Sequence, residues 1–450
     1  MTMGGGDRGL ADLEAALVAE YRELTPRSAE QWKQLAELTP ASFLSAPGLA
    51  PYPIFTERAD GAHLYDVDGR ELVDFFAAHS GGILGHNNPA IKRAISDELE
   101  QGLIFGLVRS TREYEVAAML AERIPSVQKV RFSPTGSEAV MRALRAARAF
   151  TGRELIAKTD AGYHGNHDLV WYGPAIAHVQ HPGTRELAPG ISRSVADEVV
   201  LLPFNDIAGS TALVEQQADR LAAILVEPIL GMSHLPADVE YLQALRALAD
   251  RHGIVLVFDE MICLAVARGG AQELFGVTPD LTTAGKTVAH GMPLSFYGGR
   301  ADIMDVTGRD AHRAPPQVIH GGTYQRHNVS LAAAAAALRQ QDEALFQRLQ
   351  ATGAQLRDAL AATVAAGGWP VQVTGVSHLW DFHWTGVPLH DTRSLGHIDH
   401  RIKAAIQLSL LNQGIYGIGV VTDAHRETHV RQLCAAFASS VTRVSAALAR

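Results

Sequence analysis

Lysine is scarce in this sequence, and one lysine stands in a setting that favours covalent chemistry. The chain has 450 residues and 39 lysine and arginine side chains, of which only six are lysines. Lys286 follows an apolar, strand-like segment, precedes a glycine-containing loop, and has no charged residue within five positions on either side. Such a desolvated amine loses its proton readily and can form a Schiff base with a carbonyl group. A structural lysine that extends from a strand end to solvent would show the same pattern, so both interpretations stay open.

Two long apolar segments each end in an acidic residue. Residues 221–226 precede Glu227, and residues 254–258 precede Asp259. Between them, residues 239–252 predict an amphipathic helix that Gly253 closes. Apolar strands that alternate with helices predict a mostly parallel sheet covered on both faces, which binds ligands at the carboxyl ends of its strands. A carboxylate buried there needs a cationic partner. That partner could be the protonated ring nitrogen of a cofactor, or an arginine in a structural ion pair. The carboxylate could also cap the N-terminus of a helix.

A hydroxyl-rich turn precedes the helix predicted at 139–150. It contains Thr135, Gly136 and Ser137 and follows a short predicted strand. Free N–H groups and the dipole at a helix N-terminus attract phosphate, and glycine allows a close approach to the backbone. Ordinary capping by a hydroxyl side chain, with Glu138 in the first helical turn, explains the same residues.

A glycine-flanked aromatic residue lies in the segment Tyr163-His164-Gly165. The Tyr163 ring could stack on the face of a cofactor ring. His164, His167 and Asp168 are residue types that also bind metals, but no matching pair of cysteine or histidine ligands is obvious elsewhere in the sequence. We therefore favour the stacking role and expect no metal site.

In combination, these features suit pyridoxal phosphate. The chemistry of this cofactor needs a lysine that binds its aldehyde and a ring nitrogen that stays protonated. A carboxylate beside the ring nitrogen favours the protonated form. Each feature has a simple structural explanation by itself, but a phosphate-binding turn, a stacking aromatic residue, a strand-end acid and a lysine together predict this one cofactor.

The order and spacing of these segments resemble the class III, or ω-type, aminotransferases among the fold type I pyridoxal-phosphate enzymes. The resemblance covers about residues 50–440 and is greatest to the group of glutamate-1-semialdehyde aminomutase, β-phenylalanine aminotransferase and D-phenylglycine aminotransferase. It implies an α/β fold, in which a large domain with a mostly parallel central sheet joins a smaller α+β domain. The segments that carry it are 135–139, 150–153, 163–165, 226–228, 258–260, 278–286, 298–300 and 321–323.

The resemblance also implies roles for individual residues. Lys286 would bind the cofactor aldehyde and later move a proton, Asp259 would pair with the ring nitrogen, and Glu227 would lie near the ring hydroxyl. A homodimer with shared active sites would be required. The other implied cofactor-binding residues are Thr135, Gly136 and Ser137 at the phosphate, Tyr163 and Met261 on the two ring faces, His164 beside Tyr163, and Thr323 at the phosphate of the neighbouring subunit.

The expected substrate side departs from the family pattern. No arginine follows the Asp-Glu motif within 261–267, and the segment 42–46 lacks the arginine that several relatives use to bind a carboxylate. We therefore consider Arg109, which lies in the segment that lines the substrate channel in relatives and could bind a carboxylate. An ordinary surface arginine explains Arg109 as well. His290, in the turn after the lysine, and Arg326, after Thr323, are further candidates for substrate binding.

The elements that must position these residues follow from patterns along the whole chain. The first forty residues predict helices, and an Asp68-Gly69 turn between two strand-like segments predicts a β-hairpin. Strands and helices alternate over about 85–325, and long helices with short strands follow residue 330. We predict that residues 1–80 are helices and a hairpin of the small domain, 81–328 the large cofactor-binding domain, and 329–450 the C-terminal part of the small domain.

Composition limits the partners and the compartment. The net charge of −9 argues against a broad nucleic-acid-binding surface. No apolar run approaches the 18–20 or so residues of a membrane span. The two cysteines cannot form a disulfide framework, and the N-terminus lacks the features of a signal peptide. We expect a cytoplasmic protein with neither nucleic acid nor a membrane as a partner.

The combined expectation is a pyridoxal-phosphate-dependent aminotransferase with small-molecule substrates. It would move an amino group from an amino compound, such as an amino acid, to a keto acid by a ping-pong mechanism. The alternative within the same fold is an aminomutase or racemase, in which the product does not leave between the two half-reactions. A non-catalytic relative that binds a partner is a third possibility, but the presence of both Lys286 and Asp259 argues against it.

Overall fold

A computed structural model describes residues 5–40, 48–105, 108–172, 190–308 and 318–450. One short element, α3, is a single turn whose backbone is left-handed. The helices within the described residues are α1 (Gly5–Leu24), α2 (Pro26–Ala36), α3 (Ala77–Ser80), α4 (Pro89–Leu99), α5 (Thr111–Arg123), α6 (Gly136–Thr151), α7 (Ile207–Gln217), α8 (Val239–His252), α9 (Ala271–Phe275), α10 (Ala301–Asp305), α11 (Asn328–Gln340), α12 (Glu343–Gly367), α13 (Thr392–Leu395), α14 (His400–Asn412) and α15 (Glu427–Leu448).

The strands of the described segments form three sheets. The four-stranded sheet has the order β1-β2-β3-β13, the seven-stranded sheet has the order β4-β10-β9-β8-β7-β5-β6, and β11 pairs with β12. The strands are β1 (Thr56–Asp60), β2 (His63–Asp66), β3 (Glu71–Asp74), β4 (Lys129–Ser133), β5 (Leu155–Thr159), β6 (Val199–Leu202), β7 (Leu221–Val226), β8 (Val255–Asp259), β9 (Leu281–Ala284), β10 (Ser295–Gly299), β11 (Val371–Thr374), β12 (Asp381–Trp384) and β13 (Ile415–Tyr416).

The prediction of a mostly parallel central sheet is confirmed, with one reversed strand. The strands from β6 to β9 pair in parallel, whereas β10 is antiparallel to both β9 and β4. The reversal follows from the short connection between β9 and β10, which spans residues 285–294. A parallel neighbour needs a crossover of about a dozen residues or more, usually with a helix, so this connection can only turn the chain back.

The central strands bring their terminal residues to one edge. β7 and β8 are buried along their whole length, which matches their continuous apolar sequence. In the parallel register Val226 lies opposite Phe258, and Asp259 lies opposite Thr283. Because β7, β8 and β9 run in the same direction, the residues that end or follow them meet at a single edge of the sheet.

The helices that flank the sheet follow the predicted pattern closely. The helix predicted at 139–150 lies inside α6, and α8 ends at Gly253, whose φ of +63° closes the helix in a left-handed conformation. The alanine-rich segment 331–338 is buried within α11. α11 packs against α4 and α5 and so covers one side of the large sheet.

A second hydrophobic core joins the two ends of the chain. α1, α12, α14 and α15 enclose it together with the sheet that contains β2 and β3. The predicted hairpin is confirmed, because β2 and β3 pair antiparallel across a turn in which Gly69 has a φ of +84°. The division into domains at residues 80 and 328 stays a prediction. Among the described residues, no helix combines the length and the apolar character that a bilayer crossing requires.

Candidate active site

Lys286 lies directly beyond β9, at the carboxyl edge of the sheet. Gly285 separates it from the strand, and Lys286 begins a short 3₁₀ turn with a φ of +48°. The side chain is largely enclosed, and this enclosure lowers the pKa of its amine below the ordinary value, although the nearby carboxyl groups of Glu227 and Asp259 act in the opposite direction. A larger share of neutral amine makes Lys286 a better nucleophile and proton acceptor.

Asp259 is a buried carboxylate with three hydrogen-bond donors. Its Oδ1 accepts hydrogen bonds from Thr283 Oγ1 at 3.1 Å and from the backbone N–H of Met261 at 3.2 Å. Its Oδ2 lies 2.8 Å from Nδ1 of His164, which is itself fully buried. Burial lowers the pKa of His164 below its ordinary value. A neutral His164 donates its Nδ1–H to Asp259 and so helps to fix the orientation of the carboxyl group.

Glu227 follows β7 and is protonated at neutral pH. Its Oε2 accepts hydrogen bonds from the backbone N–H groups of Tyr163, at 3.0 Å, and Gly231, at 3.3 Å. Burial, followed by the charge of Asp259, raises the pKa of Glu227 to about 8. A protonated Glu227 can donate a hydrogen bond, whereas both oxygens of Asp259 already face hydrogen-bond donors. The two strand-end acids are therefore chemically distinct.

The start of α6 combines capping with a binding-competent backbone. Thr135 is the N-cap residue, and its Oγ1 accepts a hydrogen bond from the N–H of Glu138 at 3.2 Å. Capping is thus confirmed for Thr135. The helix N-terminus still presents the N–H groups of Gly136 and Ser137, which have no partner within a helix. Ser137 Oγ accepts from the N–H of Asn166 at 2.9 Å, so its own hydrogen can be donated to an anion.

Three glycines let the loops at this edge pack closely. A Cβ atom added at Gly136 would lie 2.9 Å from Sδ of Met261, and one at Gly285 would lie 3.1 Å from the same sulfur. A Cβ atom at Gly165 would lie 2.5 Å from Oγ of Ser137. Met261 therefore bridges the lysine turn and the start of α6, and the tyrosine loop packs onto the same helix end.

Tyr163 lies beside these acids, as its sequence position suggested. Its hydroxyl donates to Asn166 Oδ1 at 3.2 Å, and its ring is nearly perpendicular to that of Trp171. Burial, Glu227 and Asp259 all raise the pKa of its phenol. Within the described residues, no cluster of three or more histidine, cysteine or acidic side chains is arranged to hold a metal.

The residues considered for substrate binding lie in separate places. Arg109 is 70% exposed and forms an ion pair with Glu113 at 2.6 Å, and Arg326 lies 3.7 Å from the other oxygen of that carboxylate. Both line a cavity of about 420 Å³, and Lys286 is not among its lining residues. His290 Nε2 donates to the carbonyl of Gly85 at 2.9 Å. The segment 42–46 lies outside the described residues.

Thr323 lies on the surface of its own subunit. It is exposed in the loop that precedes α11. The carbonyl of Gly321 in this loop accepts a hydrogen bond from Arg142 Nη2 at 2.7 Å, and Arg142 belongs to α6. A hydrogen bond therefore attaches the loop to α6, whose first residues lie at the candidate site.

A second lysine is buried, which the sequence patterns did not predict. Lys158, on β5, is fully buried, and its amine donates to the carbonyl of Tyr172 at 3.3 Å. Burial lowers its pKa to about 8, while Asp160 and Glu227 act in the opposite direction. Its apolar neighbours on a predicted strand could have indicated this burial. Burial alone therefore does not distinguish the two lysines. They differ in position, because Lys158 lies within β5 whereas Lys286 follows the end of β9.

Known proteins resemble this chain over most of its length. Residues 44–379 match the sequence profile of the class-III aminotransferases. A glutamate-1-semialdehyde 2,1-aminomutase of Pyrobaculum aerophilum is 37% identical over 81% of this chain and 85% of its own. An omega-transaminase from Sphaerobacter thermophilus superposes with a TM-score of 0.85 at 34% identity, over 93% of this chain and 98% of its own. A β-phenylalanine aminotransferase from Variovorax paradoxus gives a TM-score of 0.86 at 30% identity, over 98% of each chain.

Proposed function

This chain belongs to the class-III aminotransferases, which are pyridoxal-phosphate-dependent enzymes, and on that premise we propose that it moves an amino group between an amino compound and a keto acid. The observation that carries the proposal is the meeting of three groups at one sheet edge. They are an enclosed amine on Lys286, a buried and fully hydrogen-bonded carboxyl group on Asp259, and a buried carboxyl group on Glu227 whose pKa is raised to about 8.

The residues at this edge fit pyridoxal phosphate. The start of α6 offers backbone N–H groups and the Ser137 hydroxyl to a phosphate. Met261 leaves no room for a side chain at position 136. Because Gly136 has none, a ligand can approach the backbone there closely. The buried carboxylate of Asp259 has donors but needs a cation, and a protonated ring nitrogen supplies one. Glu227 can donate to the ring hydroxyl.

Bound pyridoxal phosphate supplies an aldehyde and a ring that accepts electrons from the carbon bearing the amino group. Lys286 Nζ would take the proton from that carbon and deliver a proton to the carbon of the cofactor aldehyde. Asp259 would hold the ring nitrogen protonated, and His164 and Thr283 hold Asp259 in place. Met261 and the ring of Tyr163 would cover the two faces of the cofactor ring and exclude water from them.

An aminomutase is the second candidate function. The relatives that are aminomutases share 34 to 37% of their residues with this chain, which is as much as the similarity to the transaminase structures. Both reactions use the same lysine and acid. They differ in whether the product leaves after the first half-reaction, and the altered substrate side determines that step. We place transfer to a separate keto acid first, since two transaminase structures that cover nearly the whole chain are 34% and 30% identical to it, whereas an aminomutase structure of similar coverage is 23% identical.

Two-substrate kinetics test the proposal. A panel of α-, β- and ω-amino donors with a keto acceptor should give parallel double-reciprocal lines, and Lys286→Ala should lower turnover by at least about 10³-fold. Lys158→Ala is the control for a buried lysine that does not lie at the edge, and it should retain bound cofactor. Conversion of one substrate without an acceptor would replace transfer with the aminomutase reaction. Turnover that persists in Lys286→Ala would contradict both.

We also propose that the enzyme is a cytoplasmic homodimer. Large apolar side chains are exposed along α5, the segment before it, and the loop before α11. A second copy of the chain would cover them, and Thr323 would reach the cofactor phosphate of the partner subunit. Within one subunit, Arg109 and Arg326 share Glu113, so a substrate carboxylate would have to displace that acid. The exposed apolar side chains are Leu103, Ile104, Val108, Tyr114, Ile319 and Tyr324.

A further inference from the structure

The turn α3 is left-handed although it contains no glycine. The φ angles of Ala77, Ala78, His79 and Ser80 are +42°, +51°, +53° and +70°. The ψ angles of Ala78 and His79 are 49° and 56°, close to an ideal left-handed helix. L-residues with side chains rarely adopt this conformation even singly, because Cβ approaches the following carbonyl oxygen. Four in succession require surrounding contacts that hold them there.

Contacts at both ends of α3 impose this conformation. At its start, Oδ1 of Asp74 accepts hydrogen bonds from the N–H groups of Phe76, at 2.8 Å, and Ala77, at 3.0 Å. At its end, Oγ of Ser80 lies 2.6 Å from Nε2 of the fully buried His378. Ala77 is buried in the apolar cluster that contains Ile262 and Cys263. The strained turn is therefore fixed by groups outside it.

The turn places His79 beside Lys286. α3 packs against the 3₁₀ turn Lys286–Val288, and the charge of Lys286, together with the larger effect of burial, lowers the pKa of His79 to about 4. The imidazole is half-buried, and its ring centroid lies 4.1 Å from that of Phe76. Within the described part of the chain, no group forms a hydrogen bond with either of its nitrogens. The imidazole of His79 thus lies in a turn that packs against the Lys286 turn, and both of its nitrogens are free to hydrogen-bond a ligand.

We propose that His79 contacts the substrate and that its imidazole hydrogen-bonds a polar group, such as a carboxylate, that the amino substrate carries beyond its amine. The inference rests on the proposed function and deepens it, because it assigns a substrate class: amino compounds with a second polar group rather than hydrocarbon amines. His79 would thereby bind the group that an arginine binds in other sites, but through a hydrogen bond instead of an ion pair.

The groups around His79 keep the interaction a hydrogen bond. Lys286 and His234 are close enough to interact electrostatically with it, and burial lowers the pKa of His234 to about 4. His234 Nδ1 donates to the carbonyl of Trp380 at 3.1 Å, and behind it His378 has a pKa of about 3. These imidazoles are neutral, so His79 offers one N–H donor and one acceptor nitrogen but no positive charge.

A matched pair of donors tests this inference. We would measure kcat/KM for 3-amino-3-phenylpropanoate and for 1-phenylpropylamine, which differ in the carboxylate, in wild type, His79→Phe and His79→Gln. His79→Phe should lower the value for the amino acid about 10–100-fold, as expected for one hydrogen bond to a charged group, and leave the amine unchanged or improved. His79→Gln, which keeps a donor, should stay within about fivefold. His429→Phe, a half-buried histidine in α15, is the control.

A binding measurement separates substrate contact from a structural role. Calorimetry of the cofactor-loaded protein with 3-phenylpropanoate, which cannot react, should show weaker binding in His79→Phe, and the absorbance spectrum of the bound cofactor should stay unchanged. His79→Ala repeats the test without introducing a new ring. Equal losses for both donors, an unchanged donor ratio, or a wild-type preference for the hydrocarbon amine would overturn the role of His79. A wild-type protein that converts no donor would instead overturn the proposed function.

Discussion

The sheet edge that carries Glu227, Asp259 and Lys286, here called the cofactor edge, differs from the left-handed turn α3 in how completely its polar groups are hydrogen-bonded. At the cofactor edge, Asp259 accepts three hydrogen bonds and Glu227 accepts two. At the turn, His79 has no hydrogen-bond partner within the described residues. Hydrogen bonds within the protein therefore orient Asp259 and Glu227 before any ligand binds. The imidazole of His79, in contrast, can find a hydrogen-bond partner only in a ligand. Such a division lets substrate preference change without disturbing the cofactor chemistry.

The same two regions differ in charge. The cofactor edge concentrates carboxyl groups. Burial, with a smaller effect of Asp259, raises the pKa of Glu227 to about 8 and that of Glu260 to about 7. Asp259 has hydrogen-bond donors at both oxygens. The turn is surrounded by imidazoles that are neutral at pH 7. In the proposed function a cationic ring nitrogen completes the first region, and a polar group of the substrate, such as a carboxylate, completes the second.

The largest expected effect separates two neighbouring acids. Asp259→Asn removes the charge that a protonated ring nitrogen needs, so we expect cofactor affinity and kcat each to fall about 10²–10³-fold, the cost of breaking a buried ion pair. Cofactor titration and steady-state kinetics measure these losses.

Glu260→Gln is the matched control at the next position. The Glu260 carboxyl accepts hydrogen bonds from the N–H of Ala271 at 2.6 Å and from Nε2 of Gln272 at 2.8 Å, and so holds the start of α9. Its replacement should lower the free energy of unfolding by about 1–3 kcal/mol and leave cofactor affinity intact. If both substitutions weakened cofactor binding equally, the distinction between a cofactor-facing acid and a structural acid would fail.

The second expected effect is a pH dependence that Glu227 confers. Its pKa is about 8 in the folded protein and 4.5 ordinarily, so between these values the folded protein holds a proton that the unfolded chain has lost. The free energy of unfolding therefore falls as pH rises through this window, by about 1.4 kcal/mol per pH unit at the steepest. Glu227→Gln should remove this part of the slope.

Urea unfolding of the cofactor-free protein at pH 6 and pH 8 measures the difference. Relative to wild type, Glu227→Gln should gain about 2–3 kcal/mol between these two values. Glu260, with a pKa of about 7, contributes a similar slope in both proteins and cancels in the comparison. A difference that is independent of pH would show that Glu227 is ionised throughout, and that the two strand-end acids share one role.

The cofactor edge was largely predictable from the sequence, and the reasons are physical. Continuous apolar strands that end in an acid predicted both the sheet and the place of Glu227 and Asp259 at its edge. Helix signals predicted α8 with its observed bounds. The reversal of β10 follows from the length of its connection, which a pattern of apolar residues does not encode.

The left-handed turn could not be predicted from local sequence. Ala77-Ala78-His79-Ser80 contains good helix-forming alanine and no glycine, so local preference favours a right-handed backbone. The contacts that reverse it come from Asp74 and from His378, which lies 298 residues after Ser80. Roles for Arg109, His290 and Arg326 stay predictions for the same reason, because a substrate pocket depends on such distant contacts.

The smallest expected effect tests whether the turn is strained at all. Ala78 is exposed, so Ala78→Gly removes little buried surface. A left-handed alanine costs about 1–2 kcal/mol, and glycine adds about 0.5–1 kcal/mol of chain entropy to the unfolded state, so the free energy of unfolding should rise by up to about 1 kcal/mol. Ala361→Gly, at an exposed position of the right-handed helix α12, should lower it by about 1 kcal/mol in the same urea titration. Opposite signs at two exposed alanines would tie the strain to the turn, whereas equal losses would mean that His79 is positioned by an ordinary loop.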